Sequence, residues 1–228
     1  MPDLLSPAEI EELKKFSSCS IANAIETFNI RPRNIGFMAY DIKCMFPEMP
    51  PMVGYAFTAR IRASFEAKKT PDVWEYRRQL QAAPGPKVLV IEDEDDVPVG
   101  SYWGEVNASV HRALGCVGTI TNGGVRDLPE VRALGFHFFA RTVLVSHAYV
   151  HLREWAIPIN VGGLLVRPGD LFHADQHGVV QIPHEIAHQV AARTAEFDRK
   201  ERIVINAAQD PNFTMAKLEA AFKEMRGY

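Results

Sequence analysis

Residues 101–130 read Ser-Tyr-Trp-Gly-Glu-Val-Asn-Ala-Ser-Val-His-Arg-Ala-Leu-Gly-Cys-Val-Gly-Thr-Ile-Thr-Asn-Gly-Gly-Val-Arg-Asp-Leu-Pro-Glu, and two features there could do chemistry together. Gly104 ends a loop and opens a helix, leaving the amides of Glu105, Val106 and Asn107 without intrahelical partners. Free amides at the positive end of a helix dipole favour an anion. Downstream, a buried strand ends in Asn122-Gly123-Gly124-Val125 and delivers Arg126 and Asp127. A guanidinium suits a planar carboxylate by bidentate pairing. A carboxylate is an oxygen ligand of the kind that hard divalent cations take. Strand patterning predicts parallel neighbours here, so both features should share one carboxyl edge, where open α/β sheets bind ligands.

Each residue also has a purely structural role available. Asp127 with Glu130 is a capping pair for the helix that follows, and one carboxylate oxygen can cap while the other meets a metal. Glu105 favours the dipole of any helix it opens. Arg126 alone is an ordinary surface charge, and Gly123-Gly124 alone says little. The co-occurrence carries the reading: a free helix start, an acid on it, and an Arg-Asp pair at a neighbouring strand end.

The elements that must position these residues follow from pattern. Ser6-Pro7-Ala8-Glu9 is a capping box with proline at the first helical position, followed by Ile10, Leu13 and Phe16 at helical spacing. A second helix is expected over 20–28, a long connection over 31–51, an alternating strand over 53–63 and a helix over 72–81. Residues 87–91 form a short buried strand. The helix over 105–114 is expected to bury Val106, Val110 and Ala113. Strands over 116–121 and 136–140 flank a helix over 128–134, which makes parallel α/β units. Short strands follow at 157–161, 163–166, 170–174 and 179–182, with Pro168-Gly169 placed for a type II turn. Long helices over 184–208 and 215–225 close the chain.

Composition sets the outer limits. At 228 residues, 47% hydrophobic and 23% charged, one domain with a sizeable core is expected. A net charge of −3 argues against a general nucleic-acid partner. Cys19, Cys44 and Cys116 form neither a disulfide framework nor a zinc spacing. The opening residues lack a secretory signal and no apolar run is long enough to span a membrane, so a soluble cytoplasmic protein is expected.

The pattern Trp103-Gly104-Glu105, then Arg126-Asp127-x-x-Glu130 with twenty-one residues between Gly104 and Arg126, resembles the RraA-like family. That family holds metal-dependent 4-hydroxy-4-methyl-2-oxoglutarate/4-carboxy-4-hydroxy-2-oxoadipate aldolases and bacterial inhibitors of RNase E. Residues 19–24 resemble its opening helix, and residues 161–170 and 174–183 its β segment. About 17–208 is covered in all.

The resemblance implies an α/β fold, a single-domain layered sandwich of the swivelling β/β/α type over 1–228. N-terminal helices (about 6–28) and C-terminal helices (about 184–225) would flank its core. It implies that Asp127 binds Mg²⁺ or Mn²⁺ largely with water, and that Glu105 supports metal-bound water. Arg126 would grip the pyruvyl carboxylate and enolate oxygen, with Gly104 and the amides near Val106 and Asn107 completing the pocket. It further implies a homotrimer or hexamer, in some members with an acid from a neighbour's C-terminal helix. Glu201 lies in that region.

The residue types agree with that chemistry on their own account. Cleaving a 4-hydroxy-2-oxo acid leaves a pyruvate enolate, whose developing charge a metal ion stabilises. An oxygen-only, water-rich site suits Mg²⁺ or Mn²⁺. No lysine sits in the motif, so a Schiff-base aldolase is disfavoured. The same site would decarboxylate oxaloacetate. The leading reading is thus a class II pyruvate aldolase/oxaloacetate decarboxylase. The rivals are a non-catalytic regulator binding RNase E or another protein, and a divergent lyase on an unknown 2-oxo acid.

His177 stands where many members carry an acid. His147 and His151, four apart, would bind metal only from a helix and lack a third ligand, so they are read as lining the substrate's distal end or an oligomer contact. The acidic run at 92–96 is read as a solvated loop, Cys116 as core, and Trp74, Trp103 and Trp155 as core or interface.

Overall fold

The computed structural model describes residues 3–69 and 71–227. The capping box at Ser6 closes as read. Ser6 Oγ accepts from the Glu9 amide at 3.3 Å and the Glu9 carboxylate accepts from the Ser6 amide at 2.8 Å, opening α1 (Pro7–Leu13). Helix α2 (Ser18–Glu26) starts earlier than its apolar spacing indicates, because Ser17 caps it. The connection over 31–51 carries one short strand, β1 (Lys43–Cys44).

Then come β2 (Met52–Arg62), α3 (Val73–Ala82) capped by Asp72, β3 (Lys87–Asp93), β4 (Ser101–Trp103) and α4 (Glu105–Ala113). They are followed by β5 (Cys116–Val125), α5 (Leu128–Ala133) and β6 (His137–Val143). The chain continues through β7 (His151–Trp155), β8 (Ile159–Val161), β9 (Leu164–Val166), β10 (Leu171–Asp175) and β11 (Gly178–Ile182). It ends in α6 (Ala187–Gln209), entered through a 3₁₀ turn at His184–Ile186, and α7 (Met215–Gly227). The type II turn before β10 forms as expected, with Gly169 at φ +88° and the Asp170 amide donating to the Arg167 carbonyl at 3.1 Å.

The main sheet runs β1-β6-β5-β3-β2-β10-β11, with β4 on β5 and β7 on β2. Strands β2, β3, β5 and β6 are mutually parallel, as the alternation of strands and helices requires. Strand β2 meets β10 along its first half and β7 along its second, so it does not alternate between core and solvent as expected. Eight consecutive residues from its start are buried. It also feeds three core clusters. Phe57 and Ile61 join the aromatic layer under α3–α5, Met52 and Ala56 face the β8–β9 hairpin, and Val53 and Tyr55 meet α1, α2 and α6.

Three expectations are corrected. The acidic run is no solvated loop: Glu92 and Asp93 end β3, Glu92 pairs with Arg60 at 2.8 Å, and the Asp95 carboxylate takes the amides of Ala63 and Ser64. Helix α4 buries Ala108 and His111, not the Val106–Val110–Ala113 face, and Val106 is 76% exposed. His147 and His151 share no helix, because His147 lies in a loop and His151 begins β7. Among the described residues, no helix is long and apolar enough to cross a membrane.

Candidate functional site

Strand β4 brings the two halves of the motif together. It pairs parallel to β5, Ser101 opposite Gly124 and Trp103 opposite Val125, and the Arg126 amide donates to the Trp103 carbonyl at 3.0 Å. Gly104 therefore leaves its strand beside Arg126 and Asp127, at the carboxyl edge of the parallel sheet. The β-forming pair Tyr102-Trp103 was the sequence signal for this strand, and pattern reading passed over it.

Asp127 adopts a left-handed backbone, φ 56° and ψ 43°. Asp and Asn tolerate that region better than other side chains, and such residues gather at functional sites. Here it turns the carboxylate away from its own helix. Asp127 makes no side-chain cap to α5, and its Oδ2 accepts the Glu105 amide at 2.9 Å. The expected capping pair with Glu130 is thus replaced by a cap on α4, 22 residues back. Among the described residues no group donates to Oδ1, and the side chain is 38% exposed.

Gly104 is required by room rather than by torsion. Its φ of −157° is open to any residue, but a Cβ there would stand 2.4 Å from Asp127 Oδ2 and 3.1 Å from Arg126 Nε. Arg126 holds Asp127 loosely, Nε to Oδ2 at 3.8 Å, and its Nη1 reaches the Val145 carbonyl at 3.5 Å. Its side chain is 37% exposed, and a guanidinium carries five donors, more than these two contacts use. The Val145 carbonyl belongs to a loop that nothing in the sequence tied to the site.

The first turn of α4 supplies the remaining polar groups. Its N-cap Gly104 has no side chain to offer, and the amides of Val106 and Asn107 have no acceptor among the described residues. The Glu105 side chain is exposed beside them. The Asn107 side chain turns inward to the Tyr102 carbonyl, which leaves only its amide toward the open face.

Beneath, His111 Nδ1 donates to the Asn107 carbonyl at 2.7 Å, so Nε2 accepts from the Tyr76 hydroxyl at 2.9 Å. Burial pushes the His111 pKa down to about 4 and keeps the ring neutral. The fully buried Trp103 packs on it with centroids 4.9 Å apart. The helix that presents the amides is thereby pinned from below.

The other sequence candidates fall elsewhere. His177 bonds Asp175 beside α2, distant in the fold from the β4–β5 edge. His147 is exposed in the loop that carries Val145, and Glu201 lies half-buried on α6. Cys116 is core, its thiol raised to about 12 by burial. Trp103 is core as expected, whereas Trp74 is 66% exposed. Among the described residues no three His, Cys, Asp or Glu side chains converge as a metal cage.

Comparison with known proteins gives the family and the fold. A family model described as RraA-like, Aldolase/RraA, matches residues 18–181. A protein of Halalkalibacterium halodurans named "Putative 4-hydroxy-4-methyl-2-oxoglutarate aldolase" is 28% identical over 133 residues, 56% of this chain and 62% of that protein. The match thus spans less than two thirds of that relative's length. A solved structure of an uncharacterized protein from Pseudomonas syringae pv. tomato has a TM-score of 0.73 at 22% identity, covering 98% of this chain and 97% of its own. That of Streptomyces coelicolor RraAS2, titled an unusual member of the RNase ES inhibitor RraA protein family, has a TM-score of 0.67 at 20% identity, covering 89% and 97%. At these identities the two structures speak to fold alone.

Proposed function

The chain belongs to the RraA-like family, and on that premise we propose that it is a divalent-metal-dependent lyase of small 2-oxo acids. Its reactions would be retro-aldol cleavage of substrates like 4-hydroxy-4-methyl-2-oxoglutarate, decarboxylation of oxaloacetate, or both. The observation that carries the reading is the carboxylate of Asp127, turned by a left-handed backbone onto the start of α4 beside the loosely held Arg126 guanidinium and two unpartnered amides.

The donor set fits a hard cation. Among the described residues nothing donates to Asp127 Oδ1, Gly104 leaves room beside the carboxylate, and Glu105 adds a second exposed carboxylate that would act through water. One or two carboxylates with water is how Mg²⁺ is commonly held, and Mn²⁺ shares that preference for oxygen. When bound, the cation would supply positive charge to the enolate as it develops.

The chain's own groups do the rest. Arg126 pairs with the 2-oxo acid carboxylate and orients it. The amides of Val106 and Asn107, at the positive end of α4, favour negative charge on the reacting fragment. In the aldol substrate the 4-hydroxyl proton leaves, the C3–C4 bond breaks, and its electron pair enters the pyruvate enolate, which is then protonated at C3. In oxaloacetate the same bond breaks with loss of CO₂ and the same enolate forms. The partner implied is therefore a small 2-oxo acid, with neither nucleic acid nor membrane.

The test is pyruvate release coupled to lactate dehydrogenase, with Mg²⁺ or Mn²⁺ and with EDTA. Oxaloacetate and 4-hydroxy-4-methyl-2-oxoglutarate are offered in parallel, with Asp127→Asn as control. Metal-dependent release that the variant lacks is expected. No release from either substrate, together with no metal binding, overturns the lyase in favour of a non-catalytic regulator.

A further inference from the structure

The opposite edge of the sheet carries a second polar cleft. It opens where β5 and β6 begin, beside the C-terminal turn of α4, with a volume of about 510 Å³. His137, the first residue of β6, lines it. The residue is 8% exposed, and among the described residues its side chain makes no hydrogen bond or ion pair. Its ring stacks on Phe139 at 6.3 Å, and Gly118 packs so closely that a Cβ there would stand 2.7 Å from the His137 Cβ. The imidazole is therefore held in place at the cleft wall.

Cations surround it. Arg112, in the last turn of α4, lines the cleft and has no acidic partner among the described residues. Lys14 and Lys15 rim the other side, each paired with an acid of its own helix, Glu11 and Glu12. Those pairs are solvent-exposed at i,i+3 and weak, so either ammonium can turn to an incoming anion. Glu11, the one carboxylate on the lining, is already matched by Lys14. Burial and Lys14 together lower the His137 pKa to about 4, so the ring is a neutral donor and acceptor rather than a further charge. The apolar part of the lining is Pro51 and Val117.

We propose that this cleft is a binding site for a small organic anion. Its head group would pair with Arg112 and a lysine and take a hydrogen bond from His137, and its short apolar body would rest on Pro51 and Val117. The site is separate from the Gly104–Asp127 edge and does not depend on what that edge does.

The test follows the His137 ring itself. Protein labelled with ¹⁵N-histidine is titrated to millimolar concentration with butyrate and, separately, with inorganic phosphate, and the His137 resonance is assigned by its loss in His137→Gln. A saturable shift of that resonance is expected. It should be weakened about tenfold in Arg112→Gln, where one charge-assisted contact is lost, and unchanged in Asp127→Asn. The arm that saturates identifies the head group as carboxylate or phosphate. No saturable shift in either arm overturns the proposal, as does equal binding by Arg112→Gln. Because the readout is a ring resonance and not turnover, it stands or falls apart from the lyase reading.

Discussion

Two aspartates of this chain illustrate how a single carboxyl group is set to its task by its backbone. Asp127 caps α4 through Oδ2 and keeps Oδ1 open. An asparagine retains a capping oxygen but cannot hold a cation as a carboxylate does. Asp127→Asn should therefore unfold at nearly the wild-type temperature and lose metal-dependent pyruvate release, whereas Asp127→Ala should also lose about 1 kcal/mol of stability, measured by denaturant titration. Asp93 is the opposite case. It is 3% exposed, its Oδ2 has no donor, and burial raises its pKa to about 6 from an ordinary 3.8. The folded state then holds a proton that the unfolded chain has released between those two values, so this group costs stability as pH rises through them. Asp93→Asn is expected to stabilise the protein at pH 7 by about 3 kcal/mol and to change little at pH 3.5, and thermal unfolding at the two pH values checks it. Equal effects at both would show that the carboxyl is not buried as a neutral acid.

At the level of elements, the site depends on the register between β4 and β5. One parallel pair of short contacts places Gly104 against Asp127, and helix α4 starts there without a side-chain cap of its own. The room left by Gly104 is thus part of the site. Gly104→Ala would press a methyl into Asp127 Oδ2 and Arg126 at 2.4 and 3.1 Å, although its backbone conformation suits alanine. The expected result is a loss of about 10²-fold in kcat, the scale of a 1 Å misplacement, with cooperative unfolding preserved. Steady-state kinetics with a melting curve decides it, and wild-type turnover would remove the carboxylate from the proposed site. Sequence periodicity put Val106, Val110 and Ala113 inward, the apolar stripe of an ordinary amphipathic helix. The structure turns the helix so that His111 is buried, because Tyr76 and the Asn107 carbonyl satisfy both of its ring nitrogens. A hydrogen-bonded histidine can occupy a core position that an apolar count assigns elsewhere.

Across the whole molecule, buried histidines set the response to acid. His111, His137 and His173 all have their pKa lowered to about 4 by burial. Between pH 4 and 6.5 the unfolded chain binds these three protons and the folded chain does not, so stability falls as pH falls through that window. Asp93 and Asp170, both raised by burial, oppose this in part, and the three rings outnumber them. Denaturant midpoints across pH 4–7 should drop toward acid. A flat profile would mean that these rings are solvated. The same scale governs assembly. Beyond Thr194, α6 buries no residue, and α7 buries only Ala221, while Phe213, Met215 and Phe222 are exposed on the hairpin they form. We expect a homotrimer or hexamer that covers this hairpin. Light scattering should report it for the wild type and a smaller species for Phe222→Lys, and a monomeric wild type would refute it.

Much of this protein is determined locally. The Ser6–Glu9 box, the Pro168-Gly169 turn, the buried β3 and the alternation of parallel strands with helices follow from side-chain shape, torsional preference and apolar period, and each is present in the fold. The motif Gly104-Glu105…Arg126-Asp127 was legible for the same reason, since helix starts and strand ends leave local signatures. What tertiary structure decided are the relations between segments. Only the β4–β5 pairing could send the Asp127 carboxylate back to α4 rather than forward to α5, and only the packing of helices and the β8–β9 hairpin against β2 could bury both of its faces. The acidic run after β3 reads as a loop until Arg60, Arg62 and Arg153 arrive from β2 and β7 to neutralise it. Partners brought from tens of residues away set burial and hydrogen bonding, and neither is encoded in the neighbourhood of the residue that receives them.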